Sequence, residues 1–257
     1  MKRNYTIDLK GMNILVTGSS KGIGKSIASH LIDQGARVAI HYNSDFESAQ
    51  ELIENDNPTE SILVKADLEN TDDVQMLIET VLKKMGHLDV IIINAGVFIE
   101  HPIDMEPSTW MKVWNKTMDI NLNSAGLMTK LGLDHFLKRN GGRFIYIGSR
   151  AVFRGETKEY LAYAASKGGL TSLGRSVARS FGKDGVKSFI VAPGFTRTQM
   201  AESFISKYGE QRVLNEIAIN ELTKPEDIAP LVALLSSGLM DHATGSTIDV
   251  NAGSHIR

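Results

Sequence analysis

The chain has 257 residues, which at ~150 residues per domain allows one or two domains. Hydrophobic residues make up 42% and charged residues 23% of the chain, and these proportions exclude a wholly disordered protein. The 28 basic and 30 acidic residues give a net charge of -2. This balance excludes broad electrostatic capture of nucleic acid or of an anionic membrane as the main activity.

The composition also excludes several kinds of site and location. Cysteine is absent, so disulfides, thiolate nucleophiles and cysteine-ligated metals cannot occur. The seven histidines include no His-x-x-x-His pair, which disfavours a zinc site, and we expect no metal. No apolar run approaches the ~18 residues of a membrane helix, and residues 1–10 lack the apolar core of a signal peptide. We therefore expect a cytoplasmic protein that binds neither membrane nor nucleic acid.

Short apolar runs alternate with amphipathic segments along the first half of the chain. Strands are predicted at residues 13–16, 38–40, 62–64 and 90–93. The last of these runs is apolar throughout, as in a strand that is buried on both faces. Apolar residues at helical spacing predict helices over residues 23–35, 47–54 and 74–82.

The same alternation continues through the second half. The pattern predicts a long helical stretch at 107–139 with a break near Asp119. A strand at 144–147, a helix at 160–183 and a strand at 189–191 are predicted after it. A capping box from Thr223 to Glu226 is expected to open a helix that ends near Ser236, and a last strand is predicted at 247–250. This order predicts one α/β domain over residues 1–257, with a parallel sheet of about seven strands between two helical layers.

The segment at residues 199–220 lies between two ordered units and carries apolar residues such as Met200, Phe204 and Ile205. Two interpretations stay open. Either these side chains cover a bound substrate, or the segment is a packed pair of surface helices.

The first predicted strand ends in a glycine-rich turn, TGSSKGIG, and a helix follows at once. Glycines allow a sharp turn and a close approach of the backbone to a pyrophosphate, and a helix N-terminus adds free N–H groups and a positive dipole end. The turn therefore predicts a dinucleotide-binding site, with a plain tight turn as the weaker alternative. The residues proposed for it are Thr17, Gly18, Ser20, Lys21, Gly22, Ile23 and Gly24.

The spacing of this turn, Gly-x-x-x-Gly-x-Gly after a threonine, resembles that of the short-chain dehydrogenase/reductase family. Further matches follow in the family's order over nearly the whole chain: Asp67 and Leu68, Asn94-Ala95-Gly96, Asn121, Ser149, Tyr163-Ala164-Ala165-Ser166-Lys167, Pro193-Gly194, Thr196 and Thr198. The resemblance implies a Rossmann-type fold, a doubly wound three-layer sandwich with its site at the carboxyl ends of the strands. It also implies an enzyme that transfers a hydride between a nicotinamide cofactor and a carbonyl or alcohol.

The resemblance assigns catalytic roles to four residues. Tyr163 would donate a proton in reduction and accept one in oxidation. Lys167, on the same helix face four residues later, and the positive nicotinamide ring are expected to lower the tyrosine pKa from ~10. Lys167 would also bond the nicotinamide ribose, and Ser149 would hold the substrate oxygen. Asn121 would anchor a water that resupplies protons.

The choice between the two nicotinamide cofactors is expected to lie at the end of the second strand. Enzymes that use NAD usually carry an acid there for the ribose 2′-OH, but Tyr42 and Asn43 occupy this position, and Asp45 is too far along the loop. Lys21 can pair with a 2′-phosphate. We therefore predict a preference for NADP(H), with NAD(H) as the alternative. By resemblance, Asp67 would contact the adenine, and the segment at 193–198 the nicotinamide carboxamide.

The resemblance also suggests a substrate and an assembly. Within the family the chain is most similar to the 3-oxoacyl-acyl-carrier-protein reductases, which implies a 3-oxoacyl thioester, with Lys138, Arg139 and Arg179 as candidates to receive an acidic carrier protein. A sugar, polyol or steroid-like alcohol is the alternative substrate. A non-catalytic NADP-sensing regulator is the alternative function. A homodimer or homotetramer is expected through the helices near 117–139 and 160–183.

The sequence departs from the family's pattern in the loop between Ser149 and Tyr163, which is one residue longer than in many members. This insertion is expected to reshape the loop beside the substrate. Tyr160 is a second tyrosine nearby, but only Tyr163 has a lysine four residues later.

Overall fold

Each predicted apolar run forms a strand. The computed structural model describes residues 7–54 and 60–256, without the side chains of Met200, Ser203, Phe204, Lys207 and Tyr208. The strands within these ranges are β1 (Asn13–Val16), β2 (Arg37–Tyr42), β3 (Ile62–Lys65), β4 (Val90–Ile93), β5 (Gly142–Ile147), β6 (Val186–Pro193) and β7 (Thr247–Val250).

The strands are joined by helices, as the alternating pattern predicts. The helices of the described residues are α1 (Gly22–Asp33), α2 (Phe46–Glu54), α3 (Thr71–Met85), α4 (Pro107–Met118), α5 (Ser124–Lys138), α6 (Ala151–Arg154), α7 (Leu161–Phe181), α8 (Gln199–Tyr208), α9 (Glu210–Leu214) and α10 (Ala229–Ser236). None of them is both long and apolar enough to cross a lipid bilayer.

The strands form one seven-stranded sheet in the order β3-β2-β1-β4-β5-β6-β7, and all neighbouring strands are parallel. The direction of winding reverses between β1 and β4, which pair with each other although β2 and β3 separate them in sequence. Such a switch point leaves a crevice outside the carboxyl ends of the two strands, where open α/β sheets bind ligands.

Both faces of the sheet are covered by helices, which gives three layers. Successive residues of a strand point to opposite faces, and in β1 Ile14 and Val16 enter one core cluster while Leu15 enters the other. Helices α1, α2 and α10 contribute to the first cluster, and α3, α5 and α7 to the second. The continuous apolar run of β4 is thus explained by burial on both sides, and the predicted fold class is confirmed.

The long helical stretch is interrupted where the sequence predicts a break. A π-helical turn, Asp119–Asn123, separates α4 from α5. The turn places Asn121 inside the protein, where its side chain is 1% exposed. Single π turns within α-helices often occur at functional sites.

The predicted capping box from Thr223 to Glu226 is wrong. Residues Pro225–Asp227 form a 3-10 turn before α10, and the Asp227 carboxylate accepts a hydrogen bond from the Lys224 N–H at 2.7 Å. Thr223 instead forms an isolated bridge with Thr196. The start of this unit is therefore shifted by one residue, because tertiary pairing uses the backbone of Thr223.

The segment at 199–220 contains α8 and α9. It therefore includes the two helices that one of the two interpretations expects. The side chains of Met200 and Phe204 lie outside the described residues, and Ile205 is half-buried.

Candidate active site

The glycine turn between β1 and α1 depends on the absence of a side chain at several positions. Gly18 (φ 64°) and Gly22 (φ 56°) have left-handed backbone, which glycine adopts without steric cost. A Cβ on Gly18 would lie 2.9 Å from Ala95 Cα, and a Cβ on Gly24 would overlap the Gly18 carbonyl oxygen. The turn is therefore closed on its own backbone and on the segment that follows β4.

The N-terminus of α1 follows this turn directly. Lys21 occupies the N-cap with an exposed side chain that makes no capping hydrogen bond to the described residues. Ser20 is buried, and Ile23 is half-buried against the core. The first N–H groups and the positive end of the helix dipole can therefore receive an anion.

Thr17 joins this turn to the end of β4. Its side chain is 0% exposed, and its Oγ1 accepts hydrogen bonds from the N–H groups of Asn94 and Ala95 at 2.9 and 3.0 Å. The Asn94 side-chain amide donates in return to the carbonyl oxygens of Thr17 and Gly18 at 2.8 and 3.2 Å. The two segments at the switch point are thus held as one unit.

His41, which sequence reasoning missed, supports the same turn from β2. Its Nδ1 accepts the N–H of Gly18 at 2.9 Å, and its Nε2 lies 3.1 Å from the carbonyl oxygen of Ala66. Burial lowers the pKa of His41 to about 4, although the Ala66 carbonyl and Asp67 act in the opposite direction. The ring is therefore neutral at pH 7. A histidine directly after the apolar run Val38-Ala39-Ile40 was the signal that could have identified it.

The predicted cofactor-discriminating residues lie at the carboxyl end of β2. Tyr42 is the last residue of the strand and is half-buried, and Asn43 is exposed. The nearest acid, Asp45, accepts a hydrogen bond from the Ser48 N–H at 3.2 Å. Its carboxylate is thus engaged at the start of α2.

The end of β3 carries the residues expected near the adenine. Asp67 is half-buried, and its Oδ1 accepts the Glu69 N–H at 3.0 Å. Leu68 is buried beside it. Both residues lie on the carboxyl edge of the sheet, as the resemblance implies.

Three of the four predicted catalytic residues meet at the ends of β5 and α7. Ser149 follows β5, and a hydrogen bond joins its side chain to that of Tyr163 on α7. Lys167 is 3% exposed. Its Nζ donates to the carbonyl oxygen of Ile147 at 2.8 Å and lies 5.9 Å from the centre of the Tyr163 ring.

Asn121 lies against the same group from the π turn. Its Oδ1 accepts the N–H of Val97 at 2.8 Å, and its Nδ2 donates to the Val97 carbonyl and to Ser166 Oγ, both at 3.0 Å. A Cβ on Gly96 would lie 3.2 Å from the Asn121 Oδ1 and 3.4 Å from the Lys167 Nζ. Asn121 and Lys167 therefore flank the Asn-Ala-Gly segment together.

The pKa values of Tyr163 and Lys167 differ from the expectation. Burial raises the pKa of Tyr163 to about 12; the hydrogen bond with Ser149 lowers this pKa, and the charge of Glu156 raises it further. Burial also lowers the pKa of Lys167 to about 8. The expected lowering of the tyrosine pKa is wrong for the protein alone, because desolvation of the phenolate outweighs the stabilising contributions. Both groups are protonated at pH 7.

The segment after β6 reaches across to the glycine turn. Pro193 ends β6 and Gly194 follows it, and Thr196 is buried. Thr198 is the N-cap of α8, and its Oγ1 accepts the Ala201 N–H. A Cβ on Gly22 would lie 3.3 Å from the Thr198 Cγ2. The segment proposed for the nicotinamide end therefore contacts the turn proposed for the pyrophosphate.

An aromatic wall beside Tyr163 was not predicted. The ring of Phe98 stacks on that of Tyr160, with centres 3.7 Å apart, and meets the Tyr163 ring edge-on at 4.8 Å. Phe98 follows the Asn-Ala-Gly segment by two positions. It thus connects the end of β4 to the start of α7 by packing alone.

His101 supports the start of α7 from the loop that follows β4, in the region that the sequence places near the substrate pocket. It is 0% exposed. Its Nε2 accepts the N–H of Ala162 at 3.1 Å, and its Nδ1 donates to the Ile99 carbonyl at 3.0 Å. Because Ala162 precedes Tyr163 at the start of α7, His101 fixes the backbone that carries the tyrosine.

A doubly wound parallel sheet with a glycine turn at its switch point defines the Rossmann-type class of dinucleotide-binding proteins. A family model described as enoyl-(acyl carrier protein) reductase matches residues 18–255. The chain belongs to the short-chain dehydrogenase/reductase family and is an oxidoreductase.

Relatives and solved structures are similar to this chain over nearly its whole length. Glucose 1-dehydrogenase 2 of Bacillus subtilis is 31% identical over 251 residues, which cover 96% of this chain and 95% of the relative. The 3-oxoacyl-[acyl-carrier-protein] reductase FabG of Staphylococcus aureus is 30% identical over 244 residues, 94% of this chain and 97% of the relative. The structure of a short chain dehydrogenase from Burkholderia cenocepacia in complex with NADP has a TM-score of 0.86, is 28% identical, and covers 96% of this chain and 98% of its own.

Proposed function

We propose that this protein is an NADP(H)-dependent carbonyl reductase or alcohol dehydrogenase, which interconverts a secondary alcohol plus NADP+ with a carbonyl compound, NADPH and a proton. The observation that carries the proposal is the meeting of Ser149, Tyr163 and Lys167 beside the Asn-Ala-Gly segment, which itself contacts the glycine turn. A bound nicotinamide cofactor supplies or accepts the hydride. The residues of the chain bind and orient the reactants and move the proton.

The glycine turn fits a dinucleotide, because it leads into the N-terminus of α1, which has no side-chain cap among the described residues and would receive a pyrophosphate. Lys21 would pair with the 2′-phosphate of NADP. The end of β2 carries Tyr42 and Asn43 in place of the acid that would repel this phosphate. The other residues proposed to bind the cofactor are Thr17, Gly18, Ser20, Gly22, Ile23, Gly24, Asp67, Leu68, Asn94, Ala95, Gly96, Tyr163, Lys167, Pro193, Gly194, Thr196 and Thr198. The NADP-bound relative from Burkholderia cenocepacia supports this assignment.

Tyr163 is the proposed proton donor in reduction. Its high pKa keeps the hydroxyl protonated at pH 7, and the O–H bond breaks as the substrate carbonyl oxygen becomes an alkoxide. A positioned acid of this kind contributes ~10²–10⁴ in rate. Ser149 would donate a hydrogen bond to the same oxygen. The Lys167 ammonium would stabilise the phenolate that the proton leaves behind.

Asn121 would act on proton supply rather than on the substrate. Its hydrogen bonds to Val97 and Ser166 fix the side chain beside Lys167. A water held at this position would return, by way of Lys167, the proton that Tyr163 gives up in each reduction.

The substrate class is divided between two candidates. A relative described as a glucose dehydrogenase and one described as a 3-oxoacyl-acyl-carrier-protein reductase are almost equally similar, at 31% and 30% identity. A sugar or polyol and a carrier-bound 3-oxoacyl thioester are therefore both retained, and Lys138, Arg139 and Arg179 would receive the carrier. Arg139 has an alternative role, because its Nη2 lies 3.7 Å from an Asp89 carboxylate oxygen.

The surroundings of the site complete the proposal. The segment at 199–220 would cover the substrate, since Thr198, the N-cap of α8, lies against the glycine turn. A homodimer or homotetramer would form through the helices near 117–139 and 160–183, where Leu137 and Leu161 are 42% and 40% exposed. The proposed location is the cytoplasm.

The proposal is tested by Tyr163→Phe, with Tyr160→Phe as the matched control. Both variants lose one hydroxyl and keep the ring that packs on Phe98. NADPH oxidation is followed at a series of carbonyl compounds that includes a 3-oxoacyl thioester, a keto-sugar and a diketone. We expect turnover in the wild type and in Tyr160→Phe, and a loss of at least ~10²-fold in Tyr163→Phe, with unchanged NADPH binding by fluorescence.

Substantial turnover in Tyr163→Phe would refute the assigned acid. A wild type that binds NADPH but reduces no compound would favour the alternative function, a regulator that senses NADP. A wild type that binds neither NADPH nor NADH would exclude both functions.

A further inference from the structure

Arg150 is a buried cation directly beside the proposed site. It follows Ser149 in sequence, and its N–H donates to the carbonyl oxygen of Pro193 at 3.0 Å. The residue is 6% exposed. A guanidinium carries five N–H donors and no acceptor, so its burial requires several oxygen partners.

The partners that the described residues offer to Arg150 are incomplete. Its Nη2 lies 3.6 Å from Glu216 Oε2, a distance that is long for a hydrogen bond. The same oxygen accepts a hydrogen bond from Arg154 Nη1 at 3.0 Å. The Nη1 of Arg150 is buried and has no hydrogen-bond partner among the described residues.

The guanidinium and the Tyr163 hydroxyl share an electrostatic neighbourhood. Burial holds the pKa of Arg150 below its usual range; Arg154 lowers this pKa further, and Glu216 and Glu156 raise it. Glu156 also raises the pKa of Tyr163. Glu216 lies in the segment at 199–220 that is proposed to cover the substrate, so the guanidinium lies between Ser149 and that segment.

A buried donor without a partner is costly, and a buried cation more so. We propose that Arg150 binds an anionic group of the substrate, so that the substrate is a polyhydroxy carboxylate or phosphate whose reacting carbon lies at Ser149 and Tyr163. The planar fork of arginine matches a carboxylate in two parallel hydrogen bonds, and we expect the carboxylate to bind better. This inference rests on the proposed function and narrows its substrate class.

Two matched variants separate anion binding from a purely structural role. Arg150→Met removes the charge and keeps much of the buried volume, and Glu216 keeps its hydrogen bond from Arg154. Arg154→Met removes the direct partner of Glu216 at a side chain that is 32% exposed. If Arg150 only anchors Glu216, both variants should behave alike. Arg150→Lys retains the charge without the fork and serves as a second test where Arg150→Met is unstable.

The experiment is a titration calorimetry of each protein saturated with NADP+. The titrants are the hydroxy acids glycerate, threonate and gluconate, their uncharged counterparts glycerol, threitol and glucitol, and the phosphates glycerol 3-phosphate and glucitol 6-phosphate. Loss of one charged, bidentate contact corresponds to a change of about 10- to 100-fold in affinity. We expect the wild type and Arg154→Met to prefer one acid over its uncharged counterpart by this factor, and Arg150→Met to lose the preference.

The outcomes separate the inference from the proposed function. A phosphate that exceeds its matching acid in the wild type, with the same loss in Arg150→Met, assigns the anion as phosphate. Equal binding of charged and uncharged ligands, no binding of either, or a preference that survives in Arg150→Met and Arg150→Lys overturns the inference and leaves the proposed function intact. A protein that does not bind NADP+ at all contradicts the proposed function itself.

Discussion

The hydroxyl of Thr17 connects the two strands at the switch point, and its removal in Thr17→Val is expected to lower both stability and cofactor affinity. The hydroxyl accepts hydrogen bonds from the N–H groups of Asn94 and Ala95 at 2.9 and 3.0 Å and donates to the Ile92 carbonyl at 3.3 Å. Valine has a similar shape but no acceptor. The variant therefore leaves two N–H groups without a partner at a position that is 0% exposed.

The size of the effect follows from these two donors. A buried polar group without a partner costs about 1–3 kcal/mol, so Thr17→Val should lose about 2–6 kcal/mol. Thr171→Val is the matched control, because Thr171 is 2% exposed and its Oγ1 has no hydrogen-bond partner among the described residues. The same chemical change there should alter stability by no more than about 0.5 kcal/mol or increase it.

Urea unfolding of the two variants and the wild type measures this difference by linear extrapolation. NADPH fluorescence measures cofactor affinity, which should fall in Thr17→Val because Ala95 contacts the glycine turn. Thr17→Ser should recover most of the loss, since it restores the acceptor. A loss below about 1 kcal/mol in Thr17→Val, or an equal loss in Thr171→Val, would refute the reasoning.

Three further predictions concern the cofactor, the acid range and the tyrosine. Lys21→Ala should weaken NADPH binding about tenfold and leave NADH binding unchanged; equal weakening of both, measured by fluorescence, would contradict the 2′-phosphate assignment. The wild type should lose about 3 kcal/mol of stability as pH falls from 6.5 to 4. In this range His41 is protonated in the unfolded chain but stays neutral in the folded protein, where its pKa is about 4. Urea unfolding of His41→Asn should show a flatter pH profile over this range. His101→Leu leaves the Ala162 N–H without its acceptor and should lower kcat about tenfold through displacement of Tyr163, with NADPH affinity unchanged.

The fold could be predicted almost completely because its signals are local and repeated. All seven apolar runs form strands, and β4 has the predicted bounds, Val90–Ile93. Helix ends were less certain, as the predicted capping box at Thr223 shows. Its failure has a tertiary cause, since Thr223 pairs with Thr196 across a distance in sequence that no local pattern reveals.

The candidate site likewise contains residues that local sequence patterns identify and residues that only distant contacts explain. Tyr163 and Lys167 are recognisable because they stand four residues apart on one helix face and match the family's Tyr-x-x-x-Lys signature after Ser149. His41, His101 and Arg150 carry no such spacing. Their partners lie 23, 61 and 66 residues away for the bonds to Gly18, to Ala162 and the ion pair to Glu216, respectively. Only the assembled sheet brings these groups together.

The charge states in the site show a deeper limit of local reasoning. Spacing correctly predicts that the Lys167 ammonium lies near Tyr163, and Coulomb attraction alone would then lower the tyrosine pKa. The sign is reversed because desolvation outweighs this attraction: it raises the pKa of Tyr163 to about 12 and lowers that of Lys167 to about 8. Burial thus favours the neutral form of each residue. The neutral form of Tyr163 is the one that a proton donor needs, whereas Lys167 must stay charged to stabilise the phenolate. A positive nicotinamide ring beside the tyrosine would act against desolvation, so the cofactor that the glycine turn is proposed to bind would also help to set the acidity of the proposed proton donor.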